Sequence, residues 1–303
     1  LEEYESADLL IHDSPFTVDY DLFAGTDDKP RVYNAHNCEA QLYAQLHPGD
    51  KSQPIHELVR AAERRMLETA DLVLYCNEDD LKAFRQLAPD AEFEALYAPN
   101  GMTPTTAAGR VPDNDTAFRA VFMGSGYPPN VQAADFIART LVPALPEITF
   151  DIVGSCLPEG RYPANLKRHG VVDDAAKVSI LSSARLALNP MSAGSGSNVK
   201  VLEYFAYGLP VLSTSFGMRG ILAEAGKEYL EAPLEGFADV LKQLVANPVS
   251  LATVGAAGKA LALKNYSWDA IAAPVAERVE RLVNTRTAQG PKRFVLALND
   301  YDS

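Results

Sequence analysis

The sequence holds one tryptophan and three cysteines, and no apolar run in it approaches the ~18 residues that a membrane-spanning helix needs. Transmembrane readings are excluded on that count. Cys38, Cys76 and Cys156 are far apart, odd in number and without a CxxC pair. They support neither a disulfide framework nor a zinc site, and they fit a reducing, cytoplasmic setting. Positive charge is also scarce, with 27 Lys and Arg against 40 Asp and Glu, a net charge of −13. That balance argues against charge-driven nucleic-acid binding, while leaving a local basic pocket open. Leu1-Glu2-Glu3-Tyr4 carries no initiator Met, basic stretch or apolar stretch, so it does not read as a signal peptide and looks like a fragment boundary.

What is present is an ordinary globular composition, 47% hydrophobic over 303 residues. As a prior, this length suggests about two domains of ~150 residues. Apolar runs alternate with helical patterns, the βαβ signature of doubly wound parallel sheets. Strands are expected at 7–11, 31–35, 72–76 and 94–97, with an amphipathic helix over 52–70 on Leu58, Ala61, Ala62, Met66 and Ala70, and another over 78–87. Pro99-Asn100-Gly101 is a turn, and the hydrophobicity-poor 103–116 is the linker candidate. Beyond it come strands 118–122, 149–153, 186–189 and 211–213, and helices 131–141, 199–207, 234–246, 251–263 and 268–283. The expected division is a partial first domain at 1–102, a linker at 103–116, a second domain at 117–267, a crossover helix at 268–284 and a tail at 285–303.

Chemistry concentrates in Asn189-Pro190-Met191-Ser192-Ala193-Gly194-Ser195-Gly196-Ser197-Asn198-Val199-Lys200-Val201-Leu202-Glu203. A buried strand ends, a Gly/Ser loop follows, and a helix begins, a place where open α/β sheets bind ligands and where amide groups favour phosphate. Gly194 and Gly196 permit close backbone approach, and Ser195, Ser197 and Asn198 can cap the helix or donate to phosphate oxygens. Lys200 lies in the first turn, where a cation opposes the helix dipole unless an anion is bound. Glu203 shares its face and can accept hydrogen bonds from a ribose diol. The bland alternative is an exposed Ser/Gly turn with a Lys200–Glu203 pair.

This run resembles the donor-binding segment of GT-B glycosyltransferases, specifically the retaining glycosyltransferase family 4 (glycosyl transferases group 1), through Lys200, Glu203, Tyr204, Ala206, Gly208, Pro210 and Val211. Collinear matches are Val121–Gly126, Phe150–Gly154, Gly170–Asp174, Ser213–Gly220 and Tyr266–Asp269, with Tyr33–Glu39, Glu63–Asp80 and Pro99–Met102 earlier in the chain. The resemblance covers about residues 5–285. It implies a GT-B fold, two Rossmann-like domains facing a cleft with the first incomplete. The implied activity is retaining transfer from a nucleotide-diphosphate sugar to a glycan or lipid-linked acceptor, without metal or other cofactor, in cell-surface polysaccharide biosynthesis.

Carried over by position, the resemblance places Glu203 on the donor ribose, Lys200 and the Ser195–Asn198 backbone on the diphosphate, and Gly124 and Ser125 at the pocket edge. It assigns His36 to the cleft near the donor sugar; read alone, His36 is a strand-end histidine satisfied by backbone. Glu39 is expected to cap the following helix, His12 to face acceptor, and His47, His56 and His169 to be surface or loop residues. The sequence departs from the family in two places. Ser195 stands where the family often has its earlier Glu, and Tyr127-Pro128-Pro129-Asn130 replaces its usual Arg and Lys, leaving Lys200 as the one cation expected on the diphosphate. Lys292–Tyr301 resembles the family's opening strand, so Arg293–Leu298 is expected to run parallel in the first sheet, or to complete a neighbour's sheet in a homodimer. Peripheral membrane contact is an option for a full-length protein. The rival readings are a non-catalytic GT-B-like binding module, one unit of a tandem glycosyltransferase, and a sugar epimerase on the same architecture.

Overall fold

The computed structural model of the chain describes residues 2–19, 29–105, 118–194, 197–247, 251–286 and 294–297. Two compact units emerge: Leu1–Pro99 with Ser195–Ser197 and Ile271–Ser303, and Asn100–Gly194 with Asn198–Ala270. The division falls inside the helix Trp268–Arg286. Most of the expected linker, 106–116, lies outside the described residues; Met102 before it donates its N–H to Tyr266 O at 2.7 Å within the second unit.

In the first unit, β1 (Leu9–His12), β2 (Arg31–Ala35), β3 (Leu72–Tyr75) and β4 (Glu94–Tyr97) form a wholly parallel sheet. Its far edge is Phe294–Ala297, called β11 here because six strands of the second unit intervene. β11 runs parallel to β1, with Leu9 opposite Phe294 and His12 opposite Ala297. One chain therefore supplies both strands. The ends of the expected tail strand, Arg293 and Leu298, lie outside the described residues. The strands are short apolar runs because both faces are covered. On one face Tyr33, Val73, Met66 and Phe84 pack together beneath helices α1 (Glu39–Leu46), α2 (Gln53–Thr69) and α3 (Glu78–Leu87). On the other, Leu9, Val32 and Leu72 meet Val275, Val279 and Val283 of the helix Trp268–Arg286.

The α2 face matches the expected one at Met66 and Ala70 and differs elsewhere. The buried residues are Val59, Glu63, Met66 and Leu67, while Leu58 is exposed. Glu63 is held inward by a specific task. Its carboxylate accepts from the Glu39 and Ala40 amides at the start of α1, both at 2.8 Å, and from the Tyr33 hydroxyl at 3.2 Å. Burial raises the Glu63 pKa to about 7, against these stabilising hydrogen bonds. The capping carboxylate of α1 is thus Glu63 and not Glu39.

The second unit holds β5 (Phe118–Met123), β6 (Ile148–Val153), β7 (Leu166–Gly170), β8 (Leu186–Asn189), β9 (Val211–Ser213) and β10 (Leu230–Glu231), all parallel in the order β10-β9-β8-β5-β6-β7. Helix α4 (Pro128–Phe136), its π-helical continuation Ile137–Leu141 and α7 (Phe237–Ala246) cover one face through Phe122, Phe150, Leu188 and Phe237. Helices α5 (Asp174–Ser183), α6 (Val199–Ala206) and α8 (Leu251–Asn265) cover the other through Val121, Leu181, Val201, Phe205 and Ala262. β7 was not expected as a strand. It is an edge strand whose Lys167, Arg168 and His169 break the apolar pattern. The surface reading of His169 is corrected accordingly, since its Nε2 lies 2.7 Å from the fully buried Asp151, which Arg119 also pairs at 2.9 Å. Among the described residues, no single helix is long and apolar enough to cross a membrane.

Candidate functional site

A glycine directly follows each of β5 and β6, and the two glycines set how closely their loops approach. The Gly124 N–H donates to Val153 O at 3.0 Å, and the Gly154 N–H to Gly170 O at 2.7 Å. Gly154 has φ +97°, and a Cβ on it would lie 2.1 Å from Gly124 O; a Cβ on Gly124 would lie 2.9 Å from Asn130 Cβ. Only glycine allows this closure. The loops border a pocket of about 400 Å³ at the carboxyl ends of the strands, lined by Gly124, Ser125, Asn130, Lys200 and Glu203, with Val171 strongly exposed beside them.

α6 delivers the two charged residues. Val201, Leu202, Tyr204 and Phe205 are buried, which leaves Lys200 and Glu203, three apart, on the pocket side. The Tyr204 hydroxyl accepts from the Met123 N–H at 2.7 Å and so fixes α6 to the end of β5. Lys200 Nζ donates to Asn130 Oδ1, sits 3.7 Å from Met191 Sδ and lies 4.9 Å from the centre of the Phe122 ring. Asn130 in turn donates to Ser125 Oγ at 3.2 Å. Burial pulls the Lys200 pKa down to about 8, and the positive Arg219 acts in the same direction. An ammonium desolvated against a neutral amide and an aromatic face is primed to take an anion.

Arg219 is a second cation acting on Lys200 that sequence reasoning missed, although the run Ser213–Gly220 around it was noted. It follows the 3-10 turn Phe216–Met218, and its guanidinium stacks 4.5 Å from the Phe216 ring centre. A Cβ on Gly194, at φ +124°, would lie 2.7 Å from Arg219 Nη2 and 3.6 Å from Pro129 Cβ. The loop after β8, the first turn of α4 and Arg219 therefore converge, and Lys200 is not the single cation near this loop. The signal lay in a different strand-end loop, where spacing from Lys200 is uninformative.

The Lys200–Glu203 pair of the bland alternative is not made. Glu203 Oε1 is 2.9 Å from Lys177 Nζ on α5, and Lys177 also reaches Asp174 Oδ1 at 3.3 Å. Asn198 is placed differently from the expectation. Its buried side chain donates to Gly217 O at 2.8 Å and makes no cap hydrogen bond, joining the network in which Asn189 donates to Ser213 Oγ and Gly217 O. Its side chain thus shapes the loop. Ser197 groups with the first unit, and Ser195 and Gly196 lie outside the described residues. Gly124, Ser125, Lys200 and Glu203 are the expected residues that one pocket brings together.

His36 belongs to the first unit, after β2. Its exposed ring presents Nε2 2.9 Å from Asp13 Oδ1, which also accepts from Asn34 Nδ2 at 2.6 Å. The partner of His36 is thus a carboxylate and not backbone. His12 is buried, with Nδ1 2.9 Å from Thr17 Oγ1. Among the described residues, no group of three or more His, Cys, Asp or Glu side chains gathers to hold a metal ion.

Two Rossmann-like parallel-sheet units define a GT-B fold, and solved glycosyltransferases share it. The chain is 16% identical to sucrose-phosphate synthase from Thermosynechococcus elongatus, over 91% of this chain and 74% of that one, with a TM-score of 0.69. It is 17% identical to Anabaena HepE solved with UDP and glucose, over 90% and 77%, with a TM-score of 0.67. A mutant of S. aureus TarM, solved with fondaparinux, alpha-GlcNAc-glycerol and UDP, gives 16%, 93%, 57% and 0.68. At the sequence level, residues 132–277 match a family model described as Glycosyl transferase-like. No curated protein sequence matches the chain significantly.

Proposed function

We propose that this chain is a glycosyltransferase that moves a sugar, with retention of anomeric configuration, from a nucleotide-diphosphate sugar to a hydroxyl of a glycan or lipid-linked acceptor, in the manner of glycosyltransferase family 4. The observation that carries the reading is the single pocket that holds Gly124, Ser125, Lys200 and Glu203 at the carboxyl ends of β5 and β6. A diphosphate fits against Lys200 and Arg219, whose fixed positive charges stabilise the departing group as the glycosidic bond breaks. Glu203 accepts from the ribose hydroxyls, and Val171 offers an apolar surface to the base. The acceptor attacks from the face the diphosphate leaves, and His36, oriented by Asp13, contacts the sugar or the acceptor. This assignment rests leaving-group stabilisation on side-chain cations and calls for no metal cofactor. The setting we assign is the cytoplasm, in the assembly of cell-surface polysaccharide.

Calorimetric titration with UDP and GDP, followed by assays of UDP- and GDP-sugars with simple glycans, tests the reading. We expect one nucleoside diphosphate to bind and its sugar to be transferred with retention. Binding without transfer or donor hydrolysis would leave a sugar-nucleotide-binding module, and no binding of either nucleotide would reject the donor site.

A further inference from the structure

Lys177 lies outside every motif singled out in the sequence, yet it makes the one ion pair described for Glu203. Its ammonium is held from two sides, by Asp174 one turn back on α5 at 3.3 Å and by Glu203 on α6 at 2.9 Å. α5 starts directly after the loop carrying Val171, and Asp173 fixes that start by accepting from the Ala176 N–H at 2.8 Å. Lys177 thus ties the segment bearing one pocket wall to the carboxylate on another. We infer that Lys177 is a positioning residue of the pocket, holding Glu203 by Oε1 so that the carboxylate is presented to the ribose hydroxyls and ribonucleotides are favoured over deoxyribonucleotides.

The inference rests on the donor-site reading above, and one physical effect carries it further. Glu203 is only partly buried, so without a partner its carboxylate would be solvated and would sample several rotamers; pinning one oxygen removes that ordering cost before a hydroxyl arrives. The opposite arrangement, a latch that ribose must displace, predicts the opposite sign on removal.

The test uses the full chain as wild type, Lys177→Met and Lys177→Arg, with thermal melting to confirm folding. Calorimetry compares UDP, 2′-deoxy-UDP, 3′-deoxy-UDP and inorganic pyrophosphate, or the guanine set if GDP is the nucleotide bound. We expect Lys177→Met to weaken the ribonucleotide about 5- to 10-fold, a loss suited to a half-exposed charge-assisted contact. The deoxynucleotide that has lost the contacted hydroxyl and pyrophosphate should change little, so that ribo-over-deoxy preference collapses, and Lys177→Arg should restore most of it. Tighter ribonucleotide binding in Lys177→Met, no change, or an equal loss for all four probes including pyrophosphate would each overturn the inference while leaving the donor-site reading in place. Failure of the wild type to bind either nucleotide would overturn both.

Discussion

Helices α1 and α6 both follow the carboxyl end of a parallel strand, and their first turns are treated in opposite ways. At α1 the amides of Glu39 and Ala40 are taken by the chain's own buried carboxylate, Glu63, 24 and 23 residues further on. At α6 the N-cap residue Asn198 makes no side-chain cap bond, and the charges nearby are the cations Lys200 and Arg219. The strand-end side chains differ likewise: Asp13 with Asn34 and His36 in the first unit, Lys200 with Asn130 in the second. The same βαβ geometry can be closed internally by an acid, as at α1, or start without a carboxylate and beside cations, as at α6.

The comparison can be broken most severely at glycine. Gly154→Ala would drive a Cβ to within 2.1 Å of a backbone oxygen, so we expect a loss of roughly 4 kcal/mol or more and no nucleotide binding. Gly49, at φ +117° in the first unit, has open space around it, and Gly49→Ala should cost only about 1–3 kcal/mol of backbone strain. Denaturant melts and UDP calorimetry on both variants check this pair. Next in size is Glu63→Ala, which strands two amides and the Tyr33 hydroxyl; chemical denaturation should show a loss of about 3 kcal/mol, and Glu63→Gln a smaller one.

Lys200→Ala should lower UDP or GDP affinity by roughly 1.5–3 kcal/mol, about 10- to 150-fold, with nucleoside affinity unchanged. His36→Ala should leave nucleotide affinity intact and reduce transfer. Calorimetry beside turnover assays distinguishes the two, and an equal fall in nucleoside and nucleotide binding for Lys200→Ala would make that lysine structural.

The smallest expected effects are in pH dependence. Lys200, lowered to about 8, loses its charge as pH rises through that value, so nucleotide affinity should fall above pH 8 by up to about 10-fold per unit. Lys200→Arg should flatten the profile. Glu63 is raised to about 7, above the ~4.3 of an unfolded glutamate, so the native state holds a proton the unfolded state has lost between those values. Its stabilising contribution is complete below about pH 4.3 and lost as pH rises through 7. The stability difference between wild type and Glu63→Gln, measured from pH 4 to 8, should trace that decline.

The alternation of apolar runs made the central strands legible, because β2, β3, β5, β6 and β8 are largely buried and mostly apolar. β7 was hidden by its edge position and three polar side chains, and the two-residue β10 is too short to leave a pattern. On α2, hydrophobic periodicity could not credit Glu63 to the buried face, since the amides that draw it in belong to another helix. Lys200 and Glu203 were readable because one helix turn places both. Arg219 and Lys177 were not, because they act on Lys200 and Glu203 from separate elements. Asn198 showed a polar residue at the right place but not which way it turns.

The pairing of β1 with β11 joins residues almost the whole chain apart. A ribosome releases β1 before β11, so the first sheet cannot close until the whole of the second unit has been synthesised. Contacts of such long sequence separation form slowly. Residues 100–270, nearly continuous in sequence, have their own strands at hand and can condense during that wait. Until β11 arrives, β1 presents an open row of backbone donors and acceptors to any passing strand, so the yield of folded protein should depend on how fast β11 is delivered.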